Sequence, residues 1–395
     1  MELDLVRMRR ERFAKVQAAM AQRHVGALLL MTSGNVYYAA GARQATADNS
    51  RTYHLRTAAL VIAGDDAPHL FTPYPEGVPP ELPADHVHRP LYPELDEGVA
   101  DMARRIEELL GGGEPGKLAV DDFTAPMFLL LPGLLSWKLG NAATIMAGVR
   151  LLKTADEIEC LRRSWEINER ATLAVEAALR PGRRLSDLTG VYLAAVFDEG
   201  ATCNFLDPVF NAMPARIAEG PWSTNGDVPF ALATTDRILS DGDLVWTDCV
   251  TGYESYASDT GRTWVVGNRP SPALRDQYRR WQEITDAVID AIRPGATGAD
   301  LTSVAVEANG GTKPWLAHYF LAHGLGIEGG EIPQIGSDLG QAFDESFVLA
   351  PGMVLVVEPV TWRDGVGGYR VEEMVVVTDD GHEQISSLPH TPFVT

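Results

Sequence analysis

Four acidic residues lie in apolar segments of the second half of the chain, where carboxylates are rarely found without a partner. Asp248 belongs to GDLVWTDCV, and Asp259 follows eleven residues later; Glu358 ends the run MVLVVE, and Glu372 is the first acid of VEEMVVV. A carboxylate inside an apolar sheet is costly unless a cation neutralises it. Several carboxylates brought together would suit a pair of divalent ions.

Residues 242–267 predict a β-hairpin that would bring the first two acids together. We expect Asp248 to lie directly opposite Asp259, with the turn in TGYES. Opposed residues of a hairpin point to one face, and here that face also carries Trp246 and other apolar side chains. Two like charges on a buried face repel each other, so a cation is expected between them.

Two later runs, 353–360 and 369–377, are predicted as buried strands, and they carry the other two acids. If these strands share a sheet with the hairpin, four carboxylates converge. Arg370 would offset one of their charges, and two divalent ions would offset all of them.

His323 is the natural fifth ligand. It lies in LAHGLGIEGGEIP, where glycines allow the backbone to come close to a site. A lone histidine among glycines is more often structural, but the four acids favour a metal ligand here.

The order, spacing and flanking residues of this set resemble the pita-bread metallohydrolase family of methionine aminopeptidases, Xaa-Pro aminopeptidases, prolidases and creatinase. That family has an Asp, a second Asp eleven residues later in a YxSDxxRT-like stretch, a His in HGxG, a Glu in an EP motif and a Glu in GxRxE. The matching residues here are Asp248, Asp259 in YASDTGRT, His323 in HGLG, Glu358 in VVEP and Glu372 in GGYRVEE.

The resemblance extends outside the site. The opening helix, GNVYYAAG and LLKTADEIECLR are similar to the creatinase/prolidase branch, so nearly the whole chain is covered. It implies an α+β fold, with a C-terminal pita-bread domain at residues 151–395 and a smaller α/β creatinase-type N-terminal domain at residues 1–150. Thr154 and Glu157 have the spacing of a capping box, which predicts a helix start just after the junction.

By the same resemblance, the cofactors are two divalent metal ions (Mn, Fe, Co or Zn), and the protein is a homodimer. The five motif residues would hold the ions. Glu358 is the candidate for moving a proton, and His323 is a catalytic candidate as well as a ligand.

The chain departs from the peptidases of this family at two positions. Those enzymes carry a histidine after a proline about 17–18 residues before the first Asp, where this chain has Phe230, and another seven residues after the ligand His, where it has Gly330. In the peptidases these histidines bind the substrate carbonyl and the developing oxyanion, so their absence predicts a different substrate or other donors.

Six residues are candidates for substrate binding. Arginines suit carboxylate recognition, and NSRTYHLRT places three basic residues in the N-terminal domain. The candidates are Arg51, His54, Arg56, Phe230, Glu331 and Arg370.

The leading hypothesis is a metal-dependent hydrolase that cleaves a C–N bond (amide, amidine or Xaa-Pro-like) in a small, non-standard substrate. Three alternatives stay open. One is a metal-dependent lyase of the dimethylsulfoniopropionate-lyase type, since the tryptophans at 222, 246, 264, 315 and 362 could cage a sulfonium group. The others are a true Xaa-Pro peptidase with relocated oxyanion donors and a non-enzymatic binding module.

The composition excludes other classes. A net charge of −21 argues against nucleic acid and anionic membranes as partners. No run approaches the roughly 20 apolar residues of a membrane span. Three cysteines make neither a disulfide framework nor a CxxC site, which favours a reducing cytoplasm.

Overall fold

The computed structural model describes residues 2–43, 55–111, 116–217, 234–267 and 269–391. Its chain forms two compact units, Met1–Arg150 and Leu151–Thr395. Three of the substrate-binding candidates, Arg51, His54 and Phe230, lie outside the described residues, as does Trp222.

The first unit is a six-stranded mixed sheet with helices. Its strands run in the order β4-β3-β2-β1-β5-β6, and the pairs β1–β5, β3–β4 and β5–β6 are parallel. The elements are α1 (Leu5–Gln22), β1 (Ala27–Leu30), α2 (Ser33–Ala40), β2 (Ala58–Ile62), β3 (His69–Phe71), β4 (Val87–His88), α3 (Asp96–Leu109), β5 (Lys117–Val120), α4 (Ala125–Leu134), β6 (Lys138–Asn141) and α5 (Ala143–Arg150).

Side chains from the central strands form the core of this unit. The strand β1 is buried along its whole length, and α3 covers one face of the sheet with an apolar stripe that includes Val99, Met102 and Ile106. Such a stripe recurs every three to four residues, which is the pattern of a helix packed on a sheet.

The second unit contains the hairpin and a second antiparallel sheet. Its elements are α6 (Ala155–Ala178), α7 (Leu185–Asp198), β7 (Cys203–Asn204), β8 (Val209–Ala212), β9 (Leu244–Tyr253), β10 (Tyr256–Val265), α8 (Pro272–Ala291), α9 (Gly298–Ala308), β11 (Ala322–Gly324), β12 (Glu331–Ile335), α10 (Gln341–Ser346), β13 (Val354–Val357), β14 (Thr361–Arg363), β15 (Gly367–Tyr369), β16 (Glu373–Val377) and β17 (His382–Gln384).

In the first of these sheets, β9 lies between β10 and the short strands β7 and β8. In the second, the order is β12-β11-β13-β16-β17. The predicted hairpin within residues 242–267 is confirmed as β9 and β10.

The helix α6 supports the hairpin on the face away from the two aspartates. The predicted capping box is confirmed: Thr154 accepts a hydrogen bond from the backbone N–H of Glu157, whose carboxylate accepts one from the backbone N–H of Thr154. Further along α6, Asn168 donates to the carbonyl oxygen of Cys249 (2.8 Å) and to the hydroxyl of Ser258 (3.0 Å). These bonds fix the two long strands against one helix.

The helices α8 and α9 pack on the second sheet. Their apolar side chains form one cluster with β11, β13 and β16. Among the described helices, none is long and apolar enough to cross a membrane.

Candidate metal centre

The hairpin brings Asp248 and Asp259 to the same face, but in a different register from the predicted one. Asp248 lies opposite Gly261, and Asp259 lies opposite Val250. The expected direct opposition is therefore wrong by two residues. The turn consists of Glu254 and Ser255, both in the left-handed region with φ of 48° and 60°, as a tight two-residue hairpin turn requires. The aspartates become diagonal neighbours, which still lie within reach of one another.

The two glutamates lie at strand ends, outside the strands in which they were predicted. Glu358 directly follows β13 and precedes a proline, which has no N–H for a sheet ladder. Glu372 directly precedes β16, and its backbone N–H donates to the carbonyl oxygen of Gly261 on the hairpin (3.3 Å). This bond joins the second sheet to the first at the point where the acids meet.

Gly261 allows this approach. A Cβ added there would lie 2.7 Å from Oε1 of Glu372, so any larger residue would displace the carboxylate.

His323 lies on β11 with its ring almost fully buried. Its Nε2 is 2.8 Å from Oε1 of Glu358 and 3.6 Å from Oδ2 of Asp259. The other ring nitrogen, Nδ1, is 2.8 Å from the carbonyl oxygen of Gly324. Because Nδ1 lies against this carbonyl, Nε2 is the ring nitrogen directed to the acids, which is how metal-binding histidines are usually oriented.

Arg370 is the main cation of the cluster. Its side chain is 6% exposed and pairs with Glu358 through Nε (2.7 Å) and Nη2, with Asp248 through Nη1 (3.2 Å), and with Glu372 through Nη2. The sequence predicted that Arg370 could offset one charge. Four carboxylates and one guanidinium leave three negative charges when His323 is neutral.

The pKa values of the acids shift in different directions because Arg370 stabilises their charges unequally. Burial, followed by repulsion from Asp248 and Glu358, raises the pKa of Asp259 well above its usual value. Burial likewise raises the pKa of Glu372. Burial acts in the same sense on Glu358, but Arg370 and His323 outweigh it, so that the pKa of Glu358 is lowered.

The donor set fits a metal centre. Oδ1 of Asp259 and Oε2 of Glu372 are buried and have no hydrogen-bond partner among the described residues, and Oε1 of Glu372 shares Arg370 with Glu358 and Asp248. Asp248, Asp259 and Glu372 each place one oxygen within 4.8 Å of the others. Buried carboxylate oxygens without donors are expensive, and hard or borderline divalent cations bind such oxygens together with an imidazole.

Gly330 faces open space. A Cβ added there would meet nothing within 4 Å, whereas one added at the neighbouring Gly329 would lie 3.1 Å from Val250 and 3.8 Å from Oδ2 of Asp259. The loop that carries both glycines, residues 325–330, therefore lies beside the acids, and at Gly330 it offers no side chain to a substrate.

Two other candidates are engaged elsewhere. The carboxylate of Glu331 is buried and pairs with Lys153 (3.2 Å). Arg56, in the first unit, pairs with Glu94 (3.0 Å). Both side chains already have a partner of opposite charge, and sequence reasoning had no local signal for either pair because the partners are distant along the chain.

The tryptophans do not form a cage in the part of the chain that the structure describes. Trp246 and Trp362 pack in one apolar cluster, Trp264 in a second and Trp315 in a third. One face of Trp246 is covered by the guanidinium of Arg370, 5.3 Å from the ring centre.

Sequence reasoning also missed Glu373, the neighbour of Glu372. Its carboxylate accepts hydrogen bonds from Gln384 (2.7 Å) and Ser386 and pairs with His390. The two adjacent buried acids therefore have different surroundings: Glu373 has three side-chain partners of its own, whereas Glu372 faces the other acids around Arg370.

The segment after β17 is tied to the same region. The backbone N–H groups of Ser387 (2.6 Å) and Leu388 (3.1 Å) donate to Glu169 on α6, and the hydroxyl of Tyr369 donates to the carbonyl oxygen of His390. The final described residues therefore brace the strand that begins next to Glu372.

This arrangement of two antiparallel sheets around an acidic centre defines a pita-bread metal-dependent hydrolase. The model of metallopeptidase family M24 matches residues 159–379, which is more than half of the chain. The chain belongs to this family, whose enzymes use divalent metal ions. The predicted family, the α+β pita-bread fold and the metal-dependent, Xaa-Pro-peptidase-like hydrolase are thereby confirmed.

Individual relatives are similar over nearly the full chain. The protein is 28% identical over 397 residues to the probable dipeptidase PepE of Mycobacterium bovis, covering 97% of this chain and 96% of that one. It is 26% identical to the Xaa-Pro dipeptidase of Pyrococcus furiosus, covering 95% and 98%. Its fold matches the crystal structure of dipeptidase PepE from Mycobacterium ulcerans, with a TM-score of 0.76, 25% identity and full coverage of both chains.

Proposed function

We propose that the protein hydrolyses a C–N bond, most readily the amide of a dipeptide-sized substrate, at a centre of two divalent ions. The observation that carries this proposal is the group of buried carboxylate oxygens that lack a hydrogen-bond donor, at Asp259 and Glu372, beside His323. The dipeptidase relatives, which match over nearly their whole length, support the dipeptide-sized substrate.

The five motif residues are proposed as the ligands. The side chains that would hold the ions are Asp248, Asp259, His323, Glu358 and Glu372. When bound, divalent ions at such a site lower the pKa of water and polarise a carbonyl group. We propose Mn, Fe, Co or Zn, because a set of two Asp, two Glu and one His suits each of them.

Glu358 is proposed to move the proton in the reaction. Arg370 and His323 lower its pKa despite its burial, so it is ionised near neutral pH and can accept a proton from the attacking water. The same carboxyl group can then donate that proton to the leaving nitrogen. Arg370 fixes the orientation of the carboxylate by bonding to Oε2, which leaves Oε1 directed to His323.

At Gly330 we expect substrate binding to differ from that of the family's peptidases. Because no side chain projects there, the substrate carbonyl must be stabilised by other groups or by the ions alone. This supports a small substrate that differs from the usual Xaa-Pro peptide. The N-terminal unit is proposed to be the creatinase-type domain of residues 1–150, and the assembly a homodimer, which light scattering will test.

The test has two measurements. Elemental mass spectrometry on protein purified without chelator gives the ions per chain, and about two are expected. A panel of Xaa-Pro dipeptides, other dipeptides, N-acyl amino acids and small amidines is then assayed in water enriched in ¹⁸O. Incorporation of ¹⁸O into the product is expected, together with loss of activity in Asp259→Asn and Glu358→Gln.

Other outcomes contradict the proposal. An unsaturated product without ¹⁸O would indicate a lyase. Protein that takes up no ion after incubation with Mn or Fe would indicate a binding module. Unchanged activity in both variants would show that the reaction takes place elsewhere.

A further inference from the structure

A buried ion pair lies directly behind the site loop 325–330, and neither of its members belongs to the proposed metal centre. Nζ of Lys153 is 3.2 Å from Oε2 of Glu331, and the two side chains are only 2% and 5% exposed. Removing one partner of a fully buried pair strongly destabilises a protein, because the other charge is left without compensation.

Glu331 folds back onto the loop. Its Oε1 accepts hydrogen bonds from the backbone N–H groups of Ile327 (3.0 Å) and Glu328 (3.4 Å). Both carboxylate oxygens lie 2.5 Å from where a Cβ of Gly326 would stand, so the carboxylate packs flat on a residue that must be glycine. One carboxylate thus holds the first half of the loop.

Lys153 is itself fixed by the backbone. Its N–H donates to the carbonyl oxygen of Gly352 (2.8 Å), and its Nζ lies 3.4 Å from the carbonyl oxygen of Leu151. The next residue, Thr154, caps α6. The ammonium group is therefore presented to Glu331 from a rigid helix start.

The loop in turn contacts the hairpin that carries Asp259. The backbone N–H of Ala257 donates to the carbonyl oxygen of Gly326 (2.8 Å). Gly329 lies against Val250 and within reach of Oδ2 of Asp259. The same helix start reaches this strand, because Tyr256 donates to Glu157 (2.9 Å).

We propose that Lys153 is a positioning residue of the active site. By neutralising Glu331, it holds the loop 325–330 at the distance from Asp259 that the reaction requires. Lys153 acts through Glu331 and does not touch the substrate. This inference rests on the proposed hydrolytic function, and the geometry of the pair predicts how its loss changes the loop.

The experiment compares five variants with the wild type, all loaded with divalent ions. They are Lys153→Met, Lys153→Arg, Glu331→Gln, the double variant Lys153→Met/Glu331→Gln, and Arg162→Met. The last is the matched control, because Arg162 also lies near the start of α6 and pairs with an acid, Glu383, but at the surface. Hydrogen exchange by mass spectrometry, ions per chain, kcat and KM are measured for each.

In Lys153→Met, exchange of residues 325–330 should rise about tenfold or more, with exchange in β13 and the ion content unchanged. A displaced loop should lower kcat about tenfold to a hundredfold, with a smaller effect on KM. Lys153→Arg should restore most of kcat. The loop exchange and kcat of the double variant should fall between those of the wild type and Lys153→Met, since the double variant buries no unpaired charge. Arg162→Met should match the wild type in both.

The proposal is overturned if loop exchange in Lys153→Met stays within about twofold of wild type, or rises equally in β13 as in a general loss of stability. It is also overturned if the loop loosens and kcat does not change. If Lys153→Met does not fold, the double variant decides by the same criterion. If the wild type turns over no substrate, the proposed function fails, while the exchange and ion measurements still decide whether Lys153 holds the loop.

Discussion

Replacing Glu372 with glutamine should have opposite effects on the ion-free and the ion-loaded protein. Oε2 of Glu372 is buried and accepts no hydrogen bond from the described residues, Oε1 shares Arg370 with Glu358 and Asp248, and burial raises the pKa of the carboxyl group. Without ions, the carboxylate is a charge inside the protein, so its neutral amide analogue removes a cost. With ions, the same change removes a ligand.

The size of both effects follows from general magnitudes. Removing a buried, poorly satisfied charged group should stabilise the ion-free protein by about 1–3 kcal/mol. Ions at a concentration of about 100 times their Kd should stabilise the wild type by about 2.7 kcal/mol, or about 5–10 °C in Tm for a unit of this size. If the variant binds ions about a hundredfold more weakly, the same concentration contributes only about 0.4 kcal/mol.

The assay is thermal unfolding with chelator and across a Mn titration. Glu373→Gln is the matched control, because Glu373 is the adjacent buried acid but has Gln384, Ser386 and His390 as partners. It should lose stability without ions and keep the full ion-induced rise in Tm.

Two results would refute the reasoning. One is a Glu372→Gln variant that is less stable than wild type in chelator by more than about 1 kcal/mol, since this would mean that the pairing of Glu372 with Arg370 outweighs the cost of burying its charge. The other is an ion-induced rise in Tm equal to that of the wild type, which would place the ions elsewhere.

Three further changes test other parts of the structure. Arg370→Met should destabilise the ion-free protein by about 3–5 kcal/mol, and saturating ions should recover part of this loss in thermal unfolding; no loss would contradict its pairing role. Gly330→His should change the free energy of unfolding by less than about 0.5 kcal/mol, because the added side chain faces open space, and should raise kcat/KM on dipeptides about tenfold. Gly329→His should destabilise the protein, because its side chain would meet Val250. Burial and then the charge of His69 lower the pKa of His88 to about 4, below its usual value of 6.5. Between these pH values the unfolded chain therefore takes up a proton that the folded chain does not, so the free energy of unfolding falls as the pH is lowered. The variant His88→Gln should show a smaller fall in Tm from pH 7 to pH 4.5 than the wild type. An equal fall would contradict this cause.

The proposed ligands could be picked out from the sequence because each acid stands in or beside an apolar segment, where a carboxylate needs a partner, and His323 stands among glycines. The face shared by Asp248 and Asp259 followed from strand alternation alone. Their register did not, because it depends on which two residues adopt left-handed backbone, and the turn Glu254–Ser255 lacks the glycine or asparagine that usually marks such a position.

The strand ends and the ion pairs were beyond the reach of sequence patterns. Glu358 and Glu372 continue apolar runs, so periodicity alone extends the strands through them, although the structure ends or begins the strands beside them. The pair of Lys153 and Glu331 joins residues 178 apart in sequence, and no local pattern connects them. Arg370 was predicted to offset one charge, whereas its flat fork reaches three carboxylates at once.

The bonds made by residues after β17 have a practical consequence for anyone preparing this protein. Ser386 and His390 are partners of the buried Glu373, and Ser387 and Leu388 are bound to Glu169. Trimming the chain after residue 384 would leave Glu373 with one of its three side-chain partners, in the strand that starts beside Glu372. A purification tag is therefore better placed at the N-terminus, and a protein shortened at its C-terminus should be checked for ion content before any loss of turnover is ascribed to the substrate.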